Sequence, residues 1–181
     1  MLDLLVPIAD AARISVPPEH RRAIAIVGAG VIVDVAHLPS YRSLGLDVRG
    51  VYDLDAARAK DVAERHGIDR VYDSLDALLG DDAVDVVDIA VVPSAQPDIA
   101  RQALAAGTHP LCQKPFAPDV ATGRELVSLA EKSGACVAVN QQLRWDEGMA
   151  AARAMVQAGW IGTPTTMSFV VDISTDWSAW Q

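Results

Sequence analysis

Cysteine is scarce in this sequence: Cys112 and Cys136 are the only two in 181 residues, and their spacing is not that of metal ligands. That excludes a disulfide framework and points to two buried thiols in a reducing compartment. Positive charge is also short, with 15 Lys+Arg against 24 Asp+Glu and a formal net charge of −9. Such a chain has no general attraction for nucleic acid or an anionic membrane, and no run of like charges marks an interaction tail. No apolar stretch reaches the roughly 18 residues of a membrane helix. The best, residues 83–93, is broken by Asp85 and Asp88. The first twenty residues hold Asp3, Asp10 and Glu19 in place of a basic then apolar leader. Arg21-Arg22 runs straight into an apolar segment, which removes a twin-arginine export reading. The expectation is a cytoplasmic protein without nucleic-acid, membrane or metal partners.

What is present is apolar and periodic, with hydrophobic residues at 51%. At about 150 residues per domain the length gives one domain and a remainder. A chain of this size hides roughly 70% of its unfolded surface, enough for a core without metal or disulfide.

From Arg22 short β-branched runs alternate with helix-length segments. Ala23 to Val27 has the character of a strand buried on both faces. A helix is predicted over 31–44, a strand over 48–53, and a helix over 56–66 capped by Asp55 and stopped by Gly67. Val71-Tyr72 is a minimal strand, followed by a short helix over 75–79 capped by Ser74. A strand over 84–92 leads to a helix with Pro97 in its first turn, ending at Gly107. Then come a strand over 109–112, a helix over 118–132, a strand over 136–140 and a helix over 147–158. This alternation predicts an α/β fold, a doubly wound parallel sheet of the Rossmann type. Residues 1–20 read as an arm, 21–158 as the nucleotide-binding domain, and 159–181 as the start of a second domain. Residues 163–173 have the pattern of that domain's first strand, which makes the chain look cut from a larger protein.

The first predicted strand ends in Gly28-Ala29-Gly30, with Val31 and Ile32 opening the helix. In a dinucleotide site the first glycine makes the turn, the second admits a pyrophosphate, and helix N–H groups hold it. Any tight strand-to-helix turn can use glycine, so the acid beyond matters. Asp53 lies 23 residues past Gly30, with Leu54 following it, and closes the second strand. A carboxylate there accepts both ribose hydroxyls of NAD and repels the extra phosphate of NADP. Asp55 adds repulsion, so NAD is favoured and NADP stays open; Asp53 also suits a turn or cap. The third glycine position is Val33, which predicts a wider helix–strand spacing. Val92, Pro93, Ser94 and Gln96 follow the fourth strand, where a cofactor contact and an ordinary turn are equally compatible.

Gln113-Lys114-Pro115, taken with GAGVIVDVAHLPSY, GVYDLD, AVDVVDIAVVPS, ALAAGTHPLCQKP and GWIGTP in this order, resembles the Gfo/Idh/MocA oxidoreductases. The resemblance runs from Arg22 onward. It implies an N-terminal Rossmann domain and a C-terminal α+β domain that lines the substrate site and supports homo-oligomers. It implies hydride transfer between NAD (or NADP) and a hydroxyl carbon of a sugar, cyclitol or related polyol. Lys114 matches the family's catalytic lysine near nicotinamide and substrate, while Gln113 replaces the usual glutamate. Pro115 permits a cis peptide. Ser94 stands where asparagine is frequent, and Pro97 where histidine is. Asn140 and Arg144 match the segment that reaches towards the active site; Arg144 equally suits a helix-start ion pair. His37 reads as structural and His109 as strand-flanking. The family's catalytic Asp–His pair has no match, because Asp172 and Asp176 are followed by no histidine. Gln113, Pro97 and Val33 keep an alternative alive, a non-catalytic dinucleotide-binding or scaffold module. S-adenosylmethionine is a weaker ligand reading.

Overall fold

The apolar runs pair side by side in the computed structural model, which describes residues 8–10 and 13–170. Five strands form one parallel sheet in the order β2-β1-β3-β4-β5. They are β1 (Ile24–Val27), β2 (Val48–Tyr52), β3 (Val86–Ile89), β4 (His109–Cys112) and β5 (Ala138–Val139). The helices between them are α1 (residues 31–43), α2 (Ala56–His66), α3 (Leu75–Leu79), α4 (Gln96–Ala105) and α5 (Val120–Ser133).

Each face of the sheet buries its own core. Ile24, Ile26 and Val51 pack with Val33 and Leu38 of α1 and Ala59, Val62 and Ala63 of α2. On the other face Ala25, Val27, Val87 and Ile89 pack with Leu78, Ala100, Leu104 and Leu126 of α3 to α5. Helices on both faces of a parallel sheet are the doubly wound arrangement. The predicted caps are in place: Asp55 accepts from the N–H groups of Ala57 and Arg58, and Ser74 from that of Ala77.

Several predicted elements are shorter than their sequence pattern. The strand at Val71-Tyr72 is a single bridge to Val51. Tyr72 turns inward over Gly50, where a side-chain Cβ would lie 2.5 Å from Tyr72 Cε2. Its hydroxyl is tied to Asp81 at 2.8 Å, and the Arg70 guanidinium covers its ring at 4.4 Å. The backbone contact is limited to this bridge, with the Val51 N–H on Arg70 O at 3.1 Å and the Tyr72 N–H on Val51 O at 2.9 Å. The strand predicted over 136–140 pairs only through Ala138–Val139, with Asn140 N–H reaching Cys112 O at 2.8 Å. Cys136 is exposed, a correction to the pair of buried thiols; it precedes β5 in a loop, while Cys112 is buried in β4. Burial pushes the Cys112 thiol up to about 12, with the Asp88 charge adding to it.

Val16–Asn140 forms one compact unit and contains the whole sheet. A second unit includes the 3-10 turn Gln142–Trp145 and α6 (Glu147–Gln157). The strand predicted over 163–173 is not seen at 163–170, where no ladder partner is present among the described residues. Its end, with Asp172, Asp176 and Trp180-Gln181, lies outside the described residues. No helix among the described residues is long and apolar enough to cross a membrane.

Candidate functional site

β1 and β3 are neighbours at the centre of the sheet, and the helices that follow them cover opposite faces. Their carboxyl ends therefore bound the crevice where open parallel sheets take ligands. Gly28 makes the exit turn with φ 102°, its N–H on Tyr52 O at 2.7 Å. A Cβ there would lie 2.3 Å from Ala90 O, so the first glycine is demanded by packing between strands. At Gly30 a Cβ would meet nothing within 4 Å. That open space lies at the N-terminus of α1, beside N–H groups that no i−4 carbonyl satisfies.

Asp53 closes this turn. Its Oδ2 accepts the Ala29 N–H at 2.7 Å, and its Oδ1 accepts the Asp55 N–H at 2.8 Å. The carboxylate thus supports the glycine turn, and each oxygen keeps a further lone pair for a hydroxyl donor. The side chain of Arg58 approaches Asp53 at 3.9 Å and Asp55 at 3.5 Å. The Arg58 N–H holds the Asp55 carboxyl below the usual carboxylate range. Val31, Leu54 and Val92 are exposed to 47%, 93% and 65%, three apolar side chains at the carboxyl ends of adjoining strands. Ala29 is buried, Ile32 and Asn140 are half-buried, and Pro93 and Ser94 are exposed.

Val33 is fully buried and starts a π turn, Val33–His37, in which the Leu38 N–H reaches back to Val33 O. The β-branched residue at the third glycine position coincides with a locally widened helix. π turns inside α-helices occur frequently at functional sites. His37, at the end of this one, points into the sheet and enters a polar cluster that spans four elements. Its Nδ1 is 2.7 Å from Asp88 Oδ2, which also accepts the Tyr41 hydroxyl at 2.8 Å. Its Nε2 is 2.8 Å from Gln113 Nε2 and 3.3 Å from Asn140 Nδ2. Burial, then the neighbouring Asp88 charge, raises the Tyr41 hydroxyl well above its ordinary value.

Gln96 and Gln113 do not line the crevice as the sequence suggests. They are 1% and 9% exposed, and both amides are engaged with protein groups. Lys114 between them is exposed at the end of β4, and its peptide bond to Pro115 is cis. Asp88 and Tyr41 were absent from the predicted site; their only sequence signal is a carboxylate interrupting an apolar strand and a tyrosine one turn beyond His37. His109 Nδ1 accepts the Cys136 N–H at 3.1 Å, a strand-flanking role. Arg144 lies in the second unit, exposed, with its guanidinium 5.9 Å from the centre of the Trp145 ring.

Comparison with known proteins agrees with this geometry. The model of a family described as "Oxidoreductase family, NAD-binding Rossmann fold" (GFO_IDH_MocA) matches residues 22–141. D-apiose dehydrogenase of Paraburkholderia graminis is 31% identical over 141 residues, covering 77% of this chain and 37% of that protein. An oxidoreductase from Thermotoga maritima matches with TM-score 0.71 and 31% identity over 80% of this chain and 45% of its own. An oxidoreductase from Agrobacterium radiobacter, solved with NAD+, L-tartaric acid and magnesium, matches with TM-score 0.73 and 28% identity over 80% and 42%. The chain spans about two fifths of the length of the curated relatives it matches.

Proposed function

The chain belongs to the Gfo/Idh/MocA oxidoreductase family, and from that premise we propose that it is the NAD-binding part of a dehydrogenase or reductase acting on a hydroxyl-bearing carbon of a sugar, cyclitol or related polyol. One observation carries the reading. The Gly28–Gly30 turn is braced by Asp53 at the carboxyl ends of β1 and β2, with space left beyond Gly30.

When bound, NAD supplies the hydride-exchanging carbon, C4 of nicotinamide. The residues of the chain then divide the remaining tasks. The N–H groups at the start of α1, with the positive end of its dipole, receive the pyrophosphate. Asp53 accepts the ribose hydroxyls, and with Asp55 it opposes the extra phosphate of NADP. Val31, Leu54 and Val92 offer apolar surface to the cofactor's flat groups. Lys114 presents an ammonium to the reacting hydroxyl oxygen and stabilises negative charge developing there.

We propose that the proton acceptor lies outside the chain's four histidines. His37 is buried in the polar cluster, His66 binds Asp34 at 2.7 Å, His109 is held by Cys136, and His20 lies on the 3-10 turn Pro18–His20. We assign that role, and most substrate contacts, to the portion of the relatives' length that this chain does not span.

NADH fluorescence titration tests the cofactor reading. Saturable binding is expected, weakened by Asp53→Ala and lost in Gly30→Val; a flat titration of the unsubstituted chain would sink it.

A further inference from the structure

Two glutamine amides grip the turn that carries Lys114, one from each side. Gln96 in the first turn of α4 directs its Nε2 at the carbonyl oxygens of Gln113, Pro115 and Phe116, at 2.8, 2.9 and 3.0 Å. An amide nitrogen has two hydrogens, so three acceptors share them and no donor is left over for a ligand. From the other side the Oε1 of Gln113 accepts the Lys114 N–H at 3.0 Å.

That second bond fixes which way the Gln113 amide faces, and the consequence runs inward. With Oε1 on the Lys114 N–H, the Gln113 Nε2 is the donor to His37 Nε2 at 2.8 Å. Asn140 Nδ2, also a donor, reaches the same ring nitrogen at 3.3 Å. His37 Nε2 therefore accepts, and the ring carries its proton on Nδ1, donated to Asp88 Oδ2 at 2.7 Å. Asp88 sits fully buried on the central strand β3, and its Oδ1 has no partner among the described residues. A buried carboxylate with one oxygen unmatched is costly compared with an apolar side chain packed on the same face. What the carboxylate does supply is direction, from Gln113 through His37 to the middle of the sheet.

We infer that Gln96 and Gln113 form a two-sided clamp that fixes the backbone of Lys114 and leaves its ammonium free, with His37 in its neutral Nδ1–H form holding Gln113 in register. Both glutamines are positioning residues acting through Lys114. The inference rests on the role given to Lys114 above.

The chain has three lysines, Lys60, Lys114 and Lys132, so reductive 13C-dimethylation gives three lysine signals besides that of the terminal amine, and Lys114→Arg identifies the Lys114 one. On saturation with NADH the Lys114 signal is expected to shift. Gln113→Met fills the same volume without hydrogen bonds and should lose that shift. Gln113→Glu should keep it, because a carboxylate still accepts the Lys114 N–H. Its second oxygen then faces His37 Nε2 as an acceptor, so the His37 15N pattern should depart from that of the Nδ1–H tautomer. The clamp is overturned by a Gln113→Met chain with an undiminished Lys114 shift, or one that no longer saturates with NADH. It is equally overturned by a Gln113→Glu chain whose His37 keeps the unsubstituted pattern. Should Gln113→Met fail to melt cooperatively, Gln96→Met carries the same comparison from the other side. If the unsubstituted chain shows no saturable NADH response, the cofactor reading fails, and the His37 spectra still decide the clamp.

Discussion

Gly28 and Gly30 stand two positions apart in one motif and meet opposite surroundings. At Gly28 a Cβ would be 2.3 Å from Ala90 O and φ is 102°, so an L side chain meets both strain and collision. Gly28→Ala is therefore expected to cost about 3 kcal/mol or more of folding stability, read by urea unfolding. At Gly30 nothing lies within 4 Å of a Cβ. Gly30→Ala should change stability by less than about 0.5 kcal/mol while weakening NADH binding in titration. Equal losses of stability in the two variants would remove the distinction. Both glycines and Asp53 were legible in the sequence, because the turn is local and the acid follows at a spacing set by one βαβ step. The polar cluster was not. Its bonds join residues 51, 76 and 103 positions apart, and periodicity gives a residue's face without giving its partner. Asp88 is visible in the sequence only as a break in an apolar run, though it anchors the His37 ring through a buried hydrogen bond near the site.

Elements were legible where their ends carry chemistry. Asp55 and Ser74 accept from backbone N–H groups at the start of a helix as the sequence predicts, and Asp119 does the same for α5, which the sequence pattern starts at 118. The π turn in α1 has no such mark, since no side chain caps it and its buried residues are Val33 and His37. The bridge at Val71 is likewise decided by Tyr72 and Gly50, contacts that strand propensity does not contain. The caps make a prediction about acid. The Thr122 N–H at 2.8 Å, then its hydroxyl at 3.1 Å, hold the Asp119 carboxyl below its ordinary value of 3.8. A carboxyl lowered by folding stabilises fully above its ordinary value, and that contribution is lost as pH falls through the folded value. Asp119→Asn keeps an acceptor for the Thr122 N–H but does not titrate. Between about pH 6 and about pH 3 its melting temperature should fall less than that of the unsubstituted chain. Parallel slopes for the two proteins would show that the cap bond contributes nothing to acid sensitivity.

At the scale of the whole molecule, a net charge of −9 surrounds a site proposed for a ligand that is itself anionic. Attraction must then come from short-range donors, the helix N–H groups beyond Gly30, and not from the general field. The field opposes binding, and Asp53 and Asp55 add local repulsion against a further phosphate. These two kinds of interaction respond differently to salt. Between about 0.1 M and about 1 M the screening length falls from about 10 Å to about 3 Å, which suppresses repulsion between exposed charges and leaves hydrogen bonds at contact distance. NADH affinity should therefore hold or rise slightly across that range, by less than about threefold. The preference for NADH over NADPH should shrink, because the penalty on the extra phosphate is the screened part. Paired fluorescence titrations of the two cofactors at low and high salt measure both quantities. A tenfold loss of NADH affinity in high salt would mean that a cationic surface draws the ligand in, and no such surface is offered by the turn, by Asp53 or by the acidic balance of the chain.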